Sequence, residues 1–446
     1  MNPGRIRRVV VTGMGVVTSL GHEPREVFDA LCRGESGIRP ITRFDVSSCP
    51  SKLGGIVEGF DPWGIIQDRG GRRLLRLADW MQAMGLCAAE LAMRDAGLSS
   101  EAVAPERLGV SFGVGRGGAE ATAEMTRALY ERMLAAAANP ELGSAPGAYE
   151  HAVSEALDME RPTQFFKQCP GLLSTYVGIR HGARGPTITN VSLCSAGAQA
   201  IGEAAWIVAR DDADVMIAGG ADSMLNLPEL RAFCALDAVS TRNEDGPEAC
   251  KPFDRRRDGC VVSEGAAALI LEDREHARAR GATIHAELLG YGSSGDAYKV
   301  TAPAEDGSGA ALAMRQALHH AGLAPEDVGH INAHGTATPL NDRIETRAIK
   351  TVFGRHAYRI PVSSTKSMTG HLIAAAGALE AVVSVRSLAE KRIPPTRNLR
   401  VPDPTCDLDY VAEGQRSVPA LRAVLSNSFA IGGTNGCLIF ADASAL

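Results

Sequence analysis

The sequence predicts an α/β fold built from two halves of similar layout. Short β-like runs such as RLGVSFG and PTITNVSL alternate with helix-like stretches such as ADWMQAMGLCAAELAMRDAGL, which is typical of α/β proteins. The pattern restarts after residue 265, where AALILED and HAELLGYGSS precede another helical stretch. We therefore expect two halves, 1–272 and 273–446. Residues 116–162 are the least strand-like part of the chain, and we expect them to form an insertion on the first half.

The composition is that of an ordinary globular protein and argues against several function classes. The 446 residues are 45% hydrophobic and 22% charged, and this length allows two large halves. A net charge of −6 gives no overall attraction for nucleic acid. No apolar run reaches the roughly 20 residues that a membrane helix needs. The ten cysteines show no CxxC pair and no regular framework, so we expect no disulfides, no structural zinc and a cytoplasmic location.

The first β-like run, RRVVVTGMGVV, resembles the charged and apolar parts of a signal peptide. No small-residue cleavage site follows it, and Gly13 and Gly15 interrupt the apolar residues. We therefore interpret this run as the first buried strand.

Two motifs resemble cofactor or metal sites, and we expect neither to bind such a group. GVGRGG at 113–118 fits the glycine-rich dinucleotide pattern, but no convincing acidic partner follows at the expected distance. HINAH places His330 and His334 four residues apart. In a strand, four residues span about 13 Å, which is too far for direct ligation of one metal ion.

One cysteine lies at the junction between a predicted strand and a predicted helix, in NVSLCSAGAQA. The residues after it place Ile201, Ala204 and Val208 at helical spacing. Cys194 is therefore expected near the positive end of a helix, where the helix dipole would lower the pKa of the thiol. Small neighbours leave space for another molecule, although a buried structural cysteine also fits this pattern.

Three segments of the second half carry ionisable or glycine-rich residues. NAHGTATPLNDRIE contains His334, SSTKSMTGHLIAAAGALE contains Lys366 and His371, and SNSFAIGGTNG is a glycine-rich loop. With Cys194, these segments supply a thiol, two imidazoles and an ammonium group, with carboxylates available to hold the ammonium. Such groups suit acyl transfer followed by stabilisation of an enolate. The residue types alone do not separate this chemistry from that of a cysteine hydrolase.

The order of these segments resembles the β-ketoacyl-acyl carrier protein synthases, and most closely the elongating KAS II type of the thiolase-fold condensing enzymes. The resemblance runs almost end to end, from VVVTGMGVVTSLG through VSLCSAGAQAIGEAA and NAHGTATPLND to SNSFAIGGTNG. It implies a duplicated thiolase fold in five layers, α-β-α-β-α, usually as a homodimer. The implied activity is the decarboxylative condensation of an acyl chain with malonyl-acyl carrier protein, with no metal or redox cofactor.

The resemblance also implies a role for each polar residue of these segments. Cys194 would accept the acyl chain from the carrier protein, and His334 and His371 would complete a Cys-His-His triad. Lys366 would be held by an acidic residue. Three carboxylates are candidates for this support, with the first two preferred: Asp342, Glu345 and Glu380.

The glycine-rich loop departs from the pattern SNSFGFGGTNG that is common in this group. The backbone N–H groups of Cys194 and Ile431 would form the oxyanion hole. Phe233, Phe429, Ala430 and Ile431 are expected at the acyl pocket and its gate. Ala430 replaces a glycine and Ile431 replaces the gating phenylalanine, so the gate is smaller and its backbone stiffer. These departures favour a polyketide or polyene ketosynthase over a fatty-acid enzyme.

A basic cluster in DRGGRRLLR predicts where the acidic carrier protein docks. The alternative is that this cluster is only a solvated helix face. The cluster consists of Arg69, Arg72, Arg73 and Arg76.

Two other functions compete with the condensing enzyme. A non-catalytic partner subunit of the chain-length-factor kind usually lacks the cysteine, whereas Cys194 and both histidines are present here. A thiolase that acts on coenzyme A thioesters needs a second catalytic cysteine, and neither Cys406 nor Cys437 lies in a matching loop. A heterodimer with a second ketosynthase-like subunit stays open beside the homodimer.

Overall fold

The computed structural model describes residues 6–99, 102–116, 118–138, 147, 154 and 162–443. Its strands are β1 (Val9–Val17), β2 (Arg39–Pro40), β3 (Leu53–Gly54), β4 (Leu108–Val114), β5 (Thr187–Val191), β6 (Val215–Asp222), β7 (Gly265–Asp273), β8 (Ala286–Gly295), β9 (His330–Asn332), β10 (Val362–Ser363), β11 (Arg392–Ile393), β12 (Arg416–Ser417), β13 (Ala423–Phe429) and β14 (Thr434–Ala441).

The α-helices cover much of the rest of the described chain. They are α1 (Pro24–Arg33), α2 (Pro62–Ile65), α3 (Arg69–Leu77), α4 (Trp80–Asp95), α5 (Ala119–Ala137), α6 (Pro162–Gln168), α7 (Leu172–His181), α8 (Ala196–Ala209), α9 (Leu227–Ala235), α10 (Arg274–Ala279), α11 (Ser308–Ala321), α12 (Pro339–Phe353), α13 (Lys366–Thr369) and α14 (Ala376–Glu390). None of these described helices has the length and apolar character that a bilayer-spanning helix requires. The expected insertion, 116–162, lies partly outside the described residues, which include α5 and the first residue of α6.

The main sheet consists of two parts with the same pairing pattern. Its strand order is β10-β9-β13-β14-β8-β1-β7-β6-β4-β5, and β1 meets β8 only at Val10–Glu287 and Val11–Ala286. From the β5 edge, the first part is parallel, parallel, antiparallel and antiparallel up to β1. From the β10 edge, the second part repeats this series up to β8. The expectation of a duplicated α/β fold is confirmed, while the boundary at 272/273 stays a prediction.

Two central helices separate the two parts of the sheet and create the five layers. Helix α8 contacts β4 and β6 on one side and β14 on the other, and α14 contacts β7 and β13. Helix α4 covers the outer face of β1 and β7, and α11 covers β8 and β14. Glycines allow the close approach at the centre, since a Cβ at Gly197 would lie 2.6 Å from the carbonyl oxygen of Ala374.

Each central helix is preceded by a short 3₁₀ turn. The turn Leu193–Ser195 leads into α8, and the turn Ile373–Ala375 leads into α14. The first residue of each turn has a positive φ, +51° at Leu193 and +47° at Ile373. Bulky residues rarely adopt this conformation, which stores strain. The duplication therefore extends to these two turns, and the first of them carries Cys194.

Candidate active site

The thiol of Cys194 and the imidazole of His371 face each other below the surface. Cys194 Sγ lies 3.1 Å from His371 Nε2, and the two residues are only 5% and 3% exposed. The backbone N–H of Ile373 donates to His371 Nδ1 at 3.3 Å. Because Nδ1 accepts this hydrogen bond, a neutral His371 carries its proton on Nε2, directed at the sulfur.

The second imidazole has the same tautomer, set by a different neighbour. Lys366 Nζ lies 3.5 Å from His334 Nδ1 and forms a buried ion pair with Glu380. An ammonium group can only donate, so Nδ1 of His334 accepts and its proton lies on Nε2. The rings of His334 and His371 are 5.4 Å apart and nearly perpendicular.

Burial sets the protonation states of the Cys194 thiol and of the His334 and His371 imidazoles. Desolvation lowers the pKa of His334 and His371 well below the usual value, and the Lys366 charge lowers both further. Both imidazoles are therefore neutral at physiological pH. Desolvation also raises the pKa of the Cys194 thiol to about 11, against the opposing N–H of Ile431 and the Lys366 charge. The expectation that the helix lowers this pKa is thus wrong, because burial of the sulfur disfavours the charged thiolate.

The carboxylate that holds Lys366 is Glu380, so the preference for Asp342 or Glu345 is wrong. Asp342 and Glu345 lie on α12, directly after the His334 loop, and accept backbone N–H groups of that loop at 3.2 Å and 2.8 Å. Glu380 lies on the central helix α14, which starts ten residues after Lys366. Burial raises the pKa of Glu380 to about 7, while the Lys366 charge opposes the rise.

A cavity of about 380 Å³ reaches Cys194, His334 and His371. Its wall includes every residue expected at the acyl pocket and gate: Phe233, Phe429, Ala430 and Ile431. The sequence analysis did not predict the polar residues of the wall. These include Cys260, Asp296, Thr301, Thr336, Thr338 and Asn341. The last three lie in the NAHGTATPLND segment, which was a usable signal, whereas nothing in the sequence pointed to Cys260.

The gate loop connects β13 to β14 and is held at both ends. The N–H of Ala430 donates to the Thr434 carbonyl at 2.8 Å, and the N–H of Gly432 donates to the Val300 carbonyl at 2.8 Å. Gly432 and Gly433 have φ of +94° and +75°, a region that favours glycine. The loop can therefore turn sharply beside Ile431.

The basic cluster lies on α3 and takes no part in lining the cavity. Leu74 and Leu75 form the buried face of this helix. All four arginines of the cluster are exposed: Arg69, Arg72, Arg73 and Arg76.

Known proteins resemble this chain over nearly its whole length. Residues 6–277 match the family model "Beta-ketoacyl synthase, N-terminal domain", and residues 285–400 match "Beta-ketoacyl synthase, C-terminal domain". The chain is 42% identical to 3-oxoacyl-[acyl-carrier-protein] synthase 2 of Coxiella burnetii, over 97% of this chain and 98% of that protein.

Two solved structures of ketosynthases share the fold of this chain. One is a type II PKS acyl-carrier protein in complex with its ketosynthase, with a TM-score of 0.82, 32% identity, and coverage of 98% of this chain and 100% of the other. The second is the ishigamide ketosynthase/chain length factor, with a TM-score of 0.84, 33% identity, and coverage of 98% and 99%.

Proposed function

The chain belongs to the β-ketoacyl synthase family, and from this membership we propose which residues carry each step of its reaction. It is a condensing acyltransferase of the β-ketoacyl-acyl carrier protein synthase type, which acts in fatty-acid or polyketide synthesis. The observation that carries the proposal is the convergence of one thiol and two Nε2–H groups on a single cavity. A variant without the thiol tests it, because that variant should lose condensation and keep decarboxylation.

In the first half-reaction, Cys194 accepts the acyl chain. Its sulfur attacks the thioester carbon of the acyl-carrier protein, and the phosphopantetheine thiol leaves with the proton that Cys194 gives up. The backbone N–H groups of Ile431 and Cys194 lower the pKa of this thiol, which supports their proposed role as donors to the oxyanion of the tetrahedral intermediate. The Nε2–H of His371 favours the thiolate form of Cys194, since it donates to the sulfur.

In the second half-reaction, His334 and His371 stabilise an enolate. Malonyl-carrier protein loses CO₂, and the electron pair of the broken bond becomes the enolate, whose oxygen accepts both Nε2–H groups. The enolate carbon attacks the acyl-Cys194 carbonyl, and the thiolate leaves and takes a proton from solvent. Neutral imidazoles suit this step because they donate hydrogen bonds without giving up a proton prematurely. Condensing enzymes of this type use no metal or redox cofactor.

The carrier protein is proposed to dock on the basic cluster of α3. The helices of the carrier protein are expected to be acidic, and the exposed arginines on one face of α3 provide complementary charge. The complex of a related ketosynthase with its acyl-carrier protein supports a partner of this class.

The cytoplasmic location expected from the sequence stays a prediction.

Reversing the charge of Arg72 and Arg73 to glutamate should weaken this encounter. The apparent KM for the acyl-carrier protein should rise roughly tenfold and become less sensitive to salt. Steady-state kinetics at several salt concentrations measures both effects. Reaction with a small pantetheine thioester should be unchanged. The control is Arg355→Glu, which reverses the charge of a matched exposed arginine on the second half and should leave the KM for the acyl-carrier protein unchanged. Equal losses on both substrates would show that the cluster is structural.

The gate residues support a specialised acyl chain over an ordinary saturated one. Isoleucine at 431 gives the cavity wall less volume than phenylalanine would, so a bulkier or rigid chain such as a polyenoyl group can pass. The side chain of Ala430 restricts the loop backbone, so gating motion is smaller. We therefore favour a polyketide or polyene ketosynthase.

Ile431→Phe should restrict the cavity for rigid chains. Acylation of Cys194 by a polyenoyl-carrier protein should slow about tenfold or more, while a saturated chain of equal length should react as before. Intact-protein mass spectrometry over time measures both adducts. Unchanged selectivity would contradict a tuned gate and favour ordinary fatty-acid elongation.

A second subunit is proposed to cover the β5 edge of the sheet. Among the described strands β5 pairs only with β4, and Ile188 and Val191 on it are 36% and 57% exposed. An apolar, unpaired edge strand is a ready template for pairing with another chain. The molar mass in solution distinguishes a homodimer from a chain that needs a related subunit.

A further inference from the structure

A buried carboxylate outside the proposed reaction lies close to the active site. Asp222 ends β6 and is 1% exposed. Its Oδ1 accepts the N–H of Ser223 at 2.9 Å, and its Oδ2 accepts the N–H of Ala374 at 3.0 Å. Burial raises the pKa of Asp222 to about 7, and through its two hydrogen bonds Asp222 ties β6 to the turn that precedes α14.

The duplication of the fold gives the Ala374 N–H, which donates to Asp222, a counterpart in the first half. Cys194 is the second residue of the Leu193–Ser195 turn, and Ala374 is the second residue of the Ile373–Ala375 turn. Each follows a residue with positive φ and lies two residues before a central helix. In the first half, the N–H at this place is the proposed oxyanion donor. In the second half, the corresponding N–H is occupied by Asp222.

The same turn determines the tautomer of His371. The N–H of Ile373 donates to His371 Nδ1, and Ile373 is a β-branched residue at φ +47°. Such a conformation persists only where surrounding contacts hold it. The neighbouring residue, Ala374, is held by Asp222, so this bond opposes relaxation of the turn.

We propose that Asp222 is a positioning residue for the condensation: it holds the Ile373–Ala375 turn so that His371 keeps its Nε2–H directed at the reacting centre. This inference rests on the proposed role of His371. Without the anchor, the turn relaxes, Nδ1 loses its donor, and the proton of the imidazole is free to occupy either nitrogen. Enolate stabilisation then loses one of its two donors in part of the molecules.

Gly115 offers a second, independent way to disturb the carboxylate. A Cβ at this position would lie 2.4 Å from Asp222 Oδ2 and 2.5 Å from the terminal methyl of Met224. Alanine at 115 therefore has to displace the carboxylate or the methionine, although the chemistry of Asp222 stays the same.

The test compares Asp222→Asn and Gly115→Ala with Glu272→Gln, a buried carboxylate at the far end of the paired strand β7. Asparagine keeps the size but has only one accepting oxygen, so one N–H loses its acceptor. Decarboxylation of malonyl-carrier protein and condensation are measured per acylated site, counted by intact-protein mass spectrometry. This normalisation removes any loss of folded protein.

Both Asp222→Asn and Gly115→Ala should lower the two rates per site about 10–100-fold, by analogy with other supporting hydrogen bonds. The KM for malonyl-carrier protein should change by less than about twofold. Glu272→Gln should lower the Tm and leave the rates per site intact. Normal rates per site in both test variants would overturn the inference. If His371→Ala also kept normal rates, the proposed function itself would fail, whereas an inactive His371→Ala would confine the failure to Asp222.

Discussion

Cys194→Ala abolishes chain extension while the variant still releases CO₂ from malonyl-carrier protein: this is the largest effect that we expect. Without the sulfur no acyl-enzyme forms, so condensation should fall by at least about 10⁴-fold. The two Nε2–H groups that receive the enolate oxygen belong to His334 and His371, whose hydrogen bonds to Lys366 and Ile373 do not involve the thiol. Decarboxylation should therefore continue at a measurable rate.

The two activities are measured separately, as release of CO₂ and as formation of the β-ketoacyl product. His334→Ala and His371→Ala should each lose condensation, and at least one should also lose decarboxylation. Cys406→Ala is the matched control, because it removes a buried thiol outside the cavity and should keep both activities. Chain extension by Cys194→Ala would show that the reaction does not pass through a covalent acyl-enzyme on this residue.

Glu380→Ala should be the most destabilising change in the active site. It leaves the ammonium of Lys366, which is 1% exposed, buried without its carboxylate. Breaking a buried ion pair from one side costs about 3–5 kcal/mol, a large share of the roughly 5–15 kcal/mol that stabilises a folded domain. The double variant Lys366→Met/Glu380→Leu removes both charges of this pair, so most of the free energy of unfolding should return.

Activity should not return with stability. Without the ammonium, no residue that the structure describes donates to Nδ1 of His334, and the proton of this imidazole is no longer held on Nε2. The double variant should therefore be folded and still defective in decarboxylation. Denaturant unfolding and CO₂ release measure the two properties, and Glu131→Ala in an exposed pair with Arg127 should change stability by less than about 1 kcal/mol. Normal decarboxylation by the double variant would rule out a role for Lys366 in setting the tautomer.

The sequence by itself determined the fold class and the candidate reacting groups. Alternation of β-like and helix-like runs is a local property, so it predicts an α/β protein without knowledge of any contact. The strand-to-helix junction at Cys194 is equally local, and the structure has a turn and a helix there. The segments with His334, Lys366 and His371 also supply residue types that suit acyl transfer and enolate stabilisation, and residue type does not depend on distance. The order of these segments, through the family resemblance, separates this chemistry from that of a cysteine hydrolase.

The tertiary structure alone decided which partner each group has and how each is charged. Glu380 is 14 residues from Lys366 along the chain and holds its ammonium, whereas Glu345 accepts the backbone N–H groups of His334 and Gly335 instead. The pKa of Cys194 rises because packing from both halves removes water from the sulfur, an effect that a local helix pattern cannot reveal. The bond from Ala374 to Asp222 joins residues 152 positions apart. Such contacts depend on how two layers approach in space, and residue spacing contains no measure of that distance.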